Sequence, residues 1–69
     1  MSCFLYGTIA RVDPENSRAL AIPQSSIKEA IMSARVSQQE GQACFFWIKD
    51  EAGTIIKTNQ DIQRELRYL

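Results

Sequence analysis

The first third of the chain predicts a β-hairpin from its distribution of apolar and polar positions. Residues 3 to 12, CFLYGTIARV, and residues 18 to 22, RALAI, are rich in apolar side chains and read as two strands. Between them, the cluster DPEN at 13 to 16 has the Asp and Pro that favour a type I turn. Pro23 cannot donate to a strand ladder, so it predicts the end of the second strand.

The next segment changes its apolar period from two to 3.6 and predicts a helix over about residues 25 to 38. Ser26 followed three residues later by Glu29 is the pattern of a capping box at a helix start. Gly41 is a plausible stop. One buried helical stripe is predicted from four apolar residues at i, i+3, i+4 and i+7, namely Ile27, Ala30, Ile31 and Ala34.

The last third predicts a second hairpin followed by a second helix. Residues 43 to 58, ACFFWIKDEAGTIIKT, contain two apolar runs around a turn near DEAG, where Gly53 is free to adopt positive φ. Thr58 or Asn59 is the expected helix cap, and Asp61 is favourable near the positive end of the helix. The apolar face of this helix is predicted to hold Ile62, Leu66 and Leu69.

These elements predict an α+β fold in a single small domain, residues 1 to 69. The expected architecture is a two-layer sandwich of order ββαββα, with a four-stranded, mostly antiparallel sheet and both helices on one face. The two halves also resemble each other. CFLY at 3 to 6 matches CFFW at 44 to 47, and QSSIKEAI at 24 to 31 matches NQDIQREL at 59 to 66 in chemical type, which suggests a duplicated ββα unit.

The strand CFFWI has more apolar residues than one buried face requires. Successive side chains of a strand point to opposite faces, so two arrangements are open. Either Phe46 and Ile48 face the helices and Phe45 and Trp47 point away, or the reverse holds. The helices supply enough apolar residues for one face only, and a large exposed apolar patch is unusual in a monomer. The outer face or edge of the sheet is therefore the expected homodimer interface, with candidates Phe4, Tyr6, Phe45, Phe46 and Trp47.

Length and composition fit a small protein that gains from a partner. A chain of 69 residues has a core worth only about 3–5 kcal/mol. No apolar run approaches the roughly 20 residues of a membrane span, and the start lacks the features of a signal peptide. We therefore expect a cytoplasmic protein. Eight basic residues balance eight acidic residues, so no net field draws the chain toward phosphate backbones or lipid.

The chemistry-bearing residues argue against catalysis. The chain has no histidine, which removes the commonest general base. Cys3 and Cys44 are expected to be reduced, buried thiols, since no secretory signal is present and no histidine can generate a thiolate. No close Cys pair or histidine offers a zinc site. We expect no enzyme activity, no cofactor and no metal.

A nucleic-acid-binding or regulatory protein is the alternative. The sheet aromatics could stack on single-stranded bases at about 1–3 kcal/mol per base. The basic residues available around them are Arg11, Arg18, Lys49 and Lys57. Arg64 and Arg67 lie on the polar side of the second helix, where a solvated face is expected and a phosphate clamp is the other reading.

One part of the chain resembles the cold-shock domains. GTIARVDPENSRALAIP at 7 to 23 looks like their opening hairpin, and EGQACFFWI at 40 to 48 is similar to their fourth strand. The resemblance implies an OB-type barrel as the minority fold. In that family the first hairpin carries aromatic binding motifs. Here that region has Arg11, Val12, Leu20 and Ile22, so the family's binding residues do not carry over.

The leading expectation is a non-enzymatic, cytoplasmic protein-interaction module that forms a homodimer centred on Trp47.

Overall fold

The protein forms one antiparallel sheet with two helices packed against it. A computed structural model describes residues 2–13 and 19–68. The strands follow the order β2-β1-β3-β4 across the sheet. The elements are β1 Cys3–Thr8, β2 Ile22–Gln24, α1 Ile27–Gln39, β3 Phe45–Asp50, β4 Ile55–Lys57 and α2 Asn59–Leu66. The predicted α+β class and the order ββαββα are confirmed. A duplicated ββα unit stays a prediction.

The pairing of the two central strands decides which side chains face the helices. Tyr6 lies opposite Trp47, and Gly7 lies opposite Phe46. Since direct partners share a face, Phe46 and Ile48 point toward the helices while Phe45 and Trp47 point away. The core between sheet and helices holds Cys3, Leu5, Ala30, Ile31, Ala34, Ala43, Phe46, Ile48 and Ile62. We call the opposite side of the sheet the outer face.

Gly7 allows the core to close over the centre of the sheet. A Cβ atom at this position would lie 3.0 Å from both Cδ1 and Cε1 of Phe46 and 3.2 Å from Cβ of Ala43. Such distances are shorter than ordinary van der Waals contact, so the Phe46 ring occupies the space that a side chain would need. The glycine is required here by packing rather than by its backbone angles.

The first helix begins and ends close to where the sequence predicts. The Ser26 side chain accepts a hydrogen bond from the Glu29 backbone N–H at 3.2 Å. The Glu29 carboxylate accepts from the Ser25 hydroxyl, so only half of the predicted capping box is present. Gly41, with φ of +74°, follows the end of the helix as expected. Ala30, Ile31 and Ala34 are buried, but the predicted fourth member, Ile27, is 37% exposed.

The second helix closes the part of β3 that β4 does not reach. Strand β4 pairs with β3 only at Ile48 and Lys49. Beyond that point, the Phe46 backbone N–H donates to Asn59 Oδ1 at 3.0 Å, and Gln63 Nε2 donates to the Cys44 carbonyl at 3.3 Å. Side-chain amides of α2 therefore replace a missing strand partner, which satisfies backbone groups that burial would otherwise leave unpaired.

The caps and turn of the second half follow their predicted chemistry. Thr58 caps α2 in a complete capping box with Asp61. In the turn between β3 and β4, the Asp50 carboxylate accepts from the backbone N–H groups of Ala52 and Thr54, each at 2.9 Å. Gly53 adopts φ of +86°, as expected. Of the predicted apolar face of α2, Ile62 is buried and Leu66 packs against the core, while Leu69 lies outside the described residues.

The first hairpin differs from its prediction. Strand β1 ends at Thr8 rather than at residue 12, and β2 spans Ile22–Gln24 rather than residues 18 to 22. Pro23 lies inside β2, opposite Phe4, and does not end the strand. An edge strand tolerates proline because one side of it has no partner to receive an N–H. The predicted turn at 13 to 16 lies almost wholly outside the described residues.

Two other expectations concern the global architecture. The barrel implied by the cold-shock resemblance is wrong, because α1 occupies the region between the two matching segments and the sheet has two separate edge strands. Within the described ranges, no helix combines the length and apolar character needed to cross a membrane.

Candidate functional site

The outer face of the sheet carries an aromatic cluster built by the pairing of β1 with β3. The rings of Tyr6 and Trp47 are stacked, with centroids 5.3 Å apart and an interplanar angle of 3°. Phe45 lies on the other side of Trp47 at 5.9 Å in a tilted arrangement. The Lys49 ammonium stands 5.3 Å from the Tyr6 ring centroid, within range of a cation–π interaction. We call these four residues the aromatic cluster.

The centre of this cluster is buried within the chain. Trp47 is only 1% exposed, although it lies outside the core between sheet and helices. Its indole Nε1 is buried and has no hydrogen-bond partner among the described residues. Phe4, Tyr6 and Phe45 are half-buried on the outer face, whereas Phe46, at 1% exposure, belongs to the core. The structure therefore separates the five predicted interface residues, and an interface centred on Trp47 or Phe46 has little surface to use.

A second surface lies between the two helices, where the sequence predicts no site. A groove of about 540 Å³ runs between α1 and the end of α2. Its members have mixed character, with four large apolar or aromatic side chains and one charge of each sign. We call this the helix groove, formed by Ile27, Lys28, Ile31, Met32, Glu65 and Tyr68. Met32 is 42% exposed and Tyr68 is 85% exposed.

The predicted nucleic-acid contacts do not form one surface. Lys49 lies on the outer face beside Tyr6. Lys57 pairs with Glu65 of α2 at 3.7 Å, which places it on the helix side of the sheet. Arg11 lies in the segment after β1 and lines a different cleft, and Arg18 falls outside the described residues.

That cleft gathers three arginines around one aromatic side chain. Arg11, Arg64 and Arg67 line it together with Phe45, and its volume is about 510 Å³. The remaining wall consists of the side-chain amides Asn59, Gln60 and Gln63. We call it the arginine cleft. Phe45 belongs to both this cleft and the aromatic cluster, so the two sites are adjacent.

Part of the arginine cleft has a sequence signal. Gln60, Gln63, Arg64 and Arg67 follow the spacing i, i+3, i+4 and i+7, which places four polar residues on one face of α2. Read as a solvated face, this stripe gives no reason to expect a site. The contributions of Arg11 and Phe45 have no signal in the chain, because they depend on how the segment after β1 and the end of β3 approach α2.

The two cysteines are free and far apart in the sheet. Cys3 lies opposite Asp50 at one end of the β1–β3 pair, whereas the Cys44 backbone N–H donates to the Thr8 carbonyl at the other end. Cys3 is buried, and this burial raises the pKa of its thiol. Cys44 is exposed, so the expectation of two buried thiols is wrong for it. Its Sγ donates to the Ile9 carbonyl at 3.1 Å.

Comparisons with known proteins identify no relative of this chain. No family model, no curated protein and no solved structure matches the chain.

Proposed function

We propose that this protein is a small, non-enzymatic, cytoplasmic interaction module that forms a homodimer through the helix groove. The observation that carries the proposal is that the helix groove combines accessible apolar side chains with one charge of each sign. Met32 and Tyr68 of the helix groove are 42% and 85% exposed, whereas Trp47 on the sheet is 1% exposed. For this reason we propose the helix layer as the dimer surface, in place of the sheet face expected from the sequence.

Helix α1 has apolar residues on two sides, and only one of them is used by the core. Ala30, Ile31 and Ala34 pack against the sheet. Met32 and Val36, one helical turn apart, remain 42% and 50% exposed. A helix that is apolar beyond its core-facing stripe is typical of one that packs against a further element. Burial against another chain would remove this second stripe from water.

A second copy of the chain suits the groove because its charges are self-complementary. A twofold interface brings the same patch of both chains together. Lys28 and Glu65 line the same groove, so Lys28 of one copy can pair with Glu65 of the other. Within the chain, Glu65 is 3.7 Å from Lys57, a distance longer than a hydrogen bond. The oxygen at that distance, Oε2, is buried, so Lys28 of another copy would pair with Oε1 of a side chain that is 43% exposed.

Strand addition at the sheet edges is a less favourable route to a dimer. Edge strand β2 is three residues long and contains Pro23. Edge strand β4 also has three residues. The free part of β3 is already bonded by Asn59 of α2. Short strands and proline are common means of preventing edge-to-edge pairing.

Sedimentation velocity at micromolar concentrations tests the proposal. We expect a dimer for the unmodified chain and at least tenfold weaker association for Met32→Glu, because a charged group would replace an apolar side chain that the interface buries. Ile9→Glu is the matched control, since Ile9 is 77% exposed and lies outside the groove. Lys28→Glu should weaken the dimer, and Lys28→Glu with Glu65→Lys should restore it.

If the unmodified chain still sedimented as a monomer at a concentration 100-fold above the micromolar range, the proposal would be excluded. Equal weakening by Met32→Glu and Ile9→Glu would also exclude it, because the groove would then have no special role.

A second candidate function is binding of single-stranded nucleic acid on the outer face. The specific observation in its favour is that Tyr6, Phe45 and Lys49 surround Trp47 beside the arginine cleft. Bases can stack on half-buried rings while basic groups contact phosphates. Fluorescence polarisation with a labelled oligonucleotide at two salt concentrations tests it. We expect salt-dependent binding that Tyr6→Leu weakens, and binding without salt dependence would argue against it.

A further inference from the structure

The arginine cleft concentrates positive charge in a chain that has none overall. Eight basic and eight acidic residues give the chain a formal net charge of zero. Three of those basic residues, Arg11, Arg64 and Arg67, nevertheless line one cleft, and none of the described residues lining it is acidic. Like charges held together raise the free energy of the folded chain unless an anion compensates them.

The guanidinium groups are available to a ligand. In the described part of the chain, the one salt bridge joins Lys57 to Glu65 and involves none of the three arginines. The acid three residues before Arg64 on α2 is Asp61, whose carboxylate is engaged by the backbone and hydroxyl of Thr58. Glu65, which adjoins Arg64 in the sequence, pairs with Lys57. Arg64 contributes to the lowered pKa of Asp61, after the two hydrogen bonds from Thr58, which are the larger causes.

Helix stability alone does not explain the cluster. Arg64 lies in the last turn of α2, where a positive charge interacts favourably with the helix dipole. Arg11 comes from the segment that follows β1 and is remote in sequence from α2. The fold brings it to the same cleft, and the dipole gives no reason for a third arginine from another element.

The rest of the wall is fixed in place by contacts within the chain. Asn59 accepts from the Phe46 backbone N–H at 3.0 Å, and Gln63 donates to Gln38 Oε1 at 2.8 Å. These bonds tie the face of α2 to β3 and α1. Phe45 supplies an apolar surface beside the arginines and lies 5.9 Å from Trp47. A wall fixed before binding reduces the entropy lost when a ligand is held.

We propose that the arginine cleft binds a phosphomonoester, with the phosphate dianion on Arg11, Arg64 and Arg67 and the organic part of the ligand against Phe45. Planar guanidinium groups match both carboxylate and phosphate oxygens through paired hydrogen bonds. Three of them lining one cleft favour a phosphate dianion, which has more acceptor oxygens and more negative charge than a single carboxylate. The cleft volume of about 510 Å³ falls within the usual range for small-molecule sites. This site does not depend on the helix groove or on dimer formation.

Isothermal titration calorimetry at pH 7.5 tests the proposal with adenosine 5′-monophosphate, adenosine and inorganic phosphate. We expect the nucleotide to bind at least tenfold more tightly than adenosine, because only it carries the dianion. Inorganic phosphate should bind more weakly than the nucleotide, because it makes no contact with Phe45. Equal affinity for the nucleotide and adenosine would overturn the site, and equal affinity for phosphate and the nucleotide would overturn the role of Phe45.

Single substitutions locate the binding. Arg11→Ala, Arg64→Ala and Arg67→Ala should each weaken nucleotide binding about tenfold, since a hydrogen-bonded charged partner is lost. All three side chains are exposed, so the variants should fold. Arg35→Ala is the matched control, because Arg35 lies on α1, which contributes no residue to the cleft. An equal loss in Arg35→Ala would overturn the assignment.

A further comparison tests whether the bound phosphate belongs to a free nucleotide or to the 5′ end of a single strand. A 5′-phosphorylated tetranucleotide that binds more tightly than the mononucleotide would identify the end of a single strand, and the reverse order would identify a free nucleotide. Either result supports the cleft. The absence of binding by every phosphorylated ligand would overturn it, while sedimentation of the same sample would still report the dimer separately.

Discussion

The two faces of the sheet bury their large aromatic residues in different ways. Phe46 on the inner face and Trp47 on the outer face are adjacent in the chain, and each is 1% exposed. Phe46 packs in a continuous core with both helices, whereas Trp47 lies outside that core, flanked by Tyr6 and Phe45. Burial on the inner face comes from a second layer of structure. On the outer face, stacked rings contribute to it, and the described part of the chain supplies no acceptor for the indole N–H.

This contrast corrects a simple argument about excess apolar sequence. A strand that is apolar on both faces predicts either a second layer or a partner chain. Here the outer aromatics are half-buried or buried, while both helices of the described ranges pack on the inner face. Accessible apolar side chains lie instead on α1 and after α2, at Met32, Val36 and Tyr68, and in the region of the first hairpin, at Ile9 and Leu20. An apolar strand face therefore does not by itself locate an interface.

The largest expected effect comes from opening the inner face. Phe46→Ala should lower the free energy of unfolding by about 3–5 kcal/mol, because it removes a fully buried ring and leaves a cavity. That loss is comparable to the whole stability expected of so small a core, so we expect a largely unfolded chain by circular dichroism. Phe45→Ala, the outer-face neighbour, should remain folded. Equal losses in the two variants would remove the distinction between the faces.

A smaller loss is expected from overfilling the same face. Gly7→Ala would place a Cβ atom 3.0 Å from the Phe46 ring, and relief of that clash should cost about 1–3 kcal/mol in urea unfolding. The double variant Gly7→Ala with Phe46→Leu should lose less unfolding free energy than the two single variants lose in total, because leucine leaves room for the new Cβ atom. Full additivity would show that the contact with Phe46 is not the cause.

The hydrogen bond that links α2 to β3 should contribute somewhat less to the free energy of unfolding than the packing at Gly7. Asn59→Ala removes the acceptor of the Phe46 backbone N–H and should cost about 1–2 kcal/mol, since a part-buried donor loses its partner. Gln60→Ala is the matched control one residue along the same helix. Hydrogen exchange at the Phe46 amide should accelerate in the first variant and not in the second. Unchanged exchange in both would mean that water or another group satisfies this donor.

On the outer face, replacing Trp47 by a smaller ring should cost much less stability than replacing Phe46 costs on the inner face. Trp47→Phe loses ring volume, but it also removes the buried Nε1–H, which finds no acceptor within residues 2–13 and 19–68. Because an unsatisfied donor itself costs about 1–3 kcal/mol, the net loss should be below about 1 kcal/mol. Chemical unfolding of the two proteins measures the difference. A loss above about 3 kcal/mol would show that the indole makes a contribution beyond its stacking on Tyr6.

The smallest effect concerns pH and the cap of α2. Hydrogen bonds from the backbone and the hydroxyl of Thr58 lower the pKa of Asp61 below its ordinary value of 3.8. A lowered pKa means that the stabilisation is complete above pH 3.8 and is lost as the pH falls through the folded-state pKa. Thermal unfolding at pH 6 and pH 2.5 should show a smaller difference in Tm for Asp61→Asn than for the unmodified chain. An identical difference would remove Asp61 as a contributor.

Elements with strong local chemistry could be predicted closely. The caps at Ser26 and Thr58 and the glycines at 41 and 53 act through neighbouring backbone groups, so the sequence alone contains the relevant information. The complete capping box forms at Thr58, whereas the box predicted at Ser26 is only half present. The first hairpin was harder to place, because Pro23 looks like a strand stop unless one knows that β2 is an edge. Edge position is a property of the whole sheet, and no local pattern reveals it.

The candidate sites divide in the same way. The polar stripe that supplies Arg64 and Arg67 can be read from helical spacing. The approach of Arg11 and Phe45 to that stripe, and the exposure of Met32 and Tyr68, follow from contacts between elements distant in the chain. The sequence by itself determined the α+β class, the order of elements and their caps, because these depend on local periodicity and backbone hydrogen bonds. Only the tertiary structure decided that Phe46 faces the helices and Trp47 does not, because strand register is set by long-range pairing.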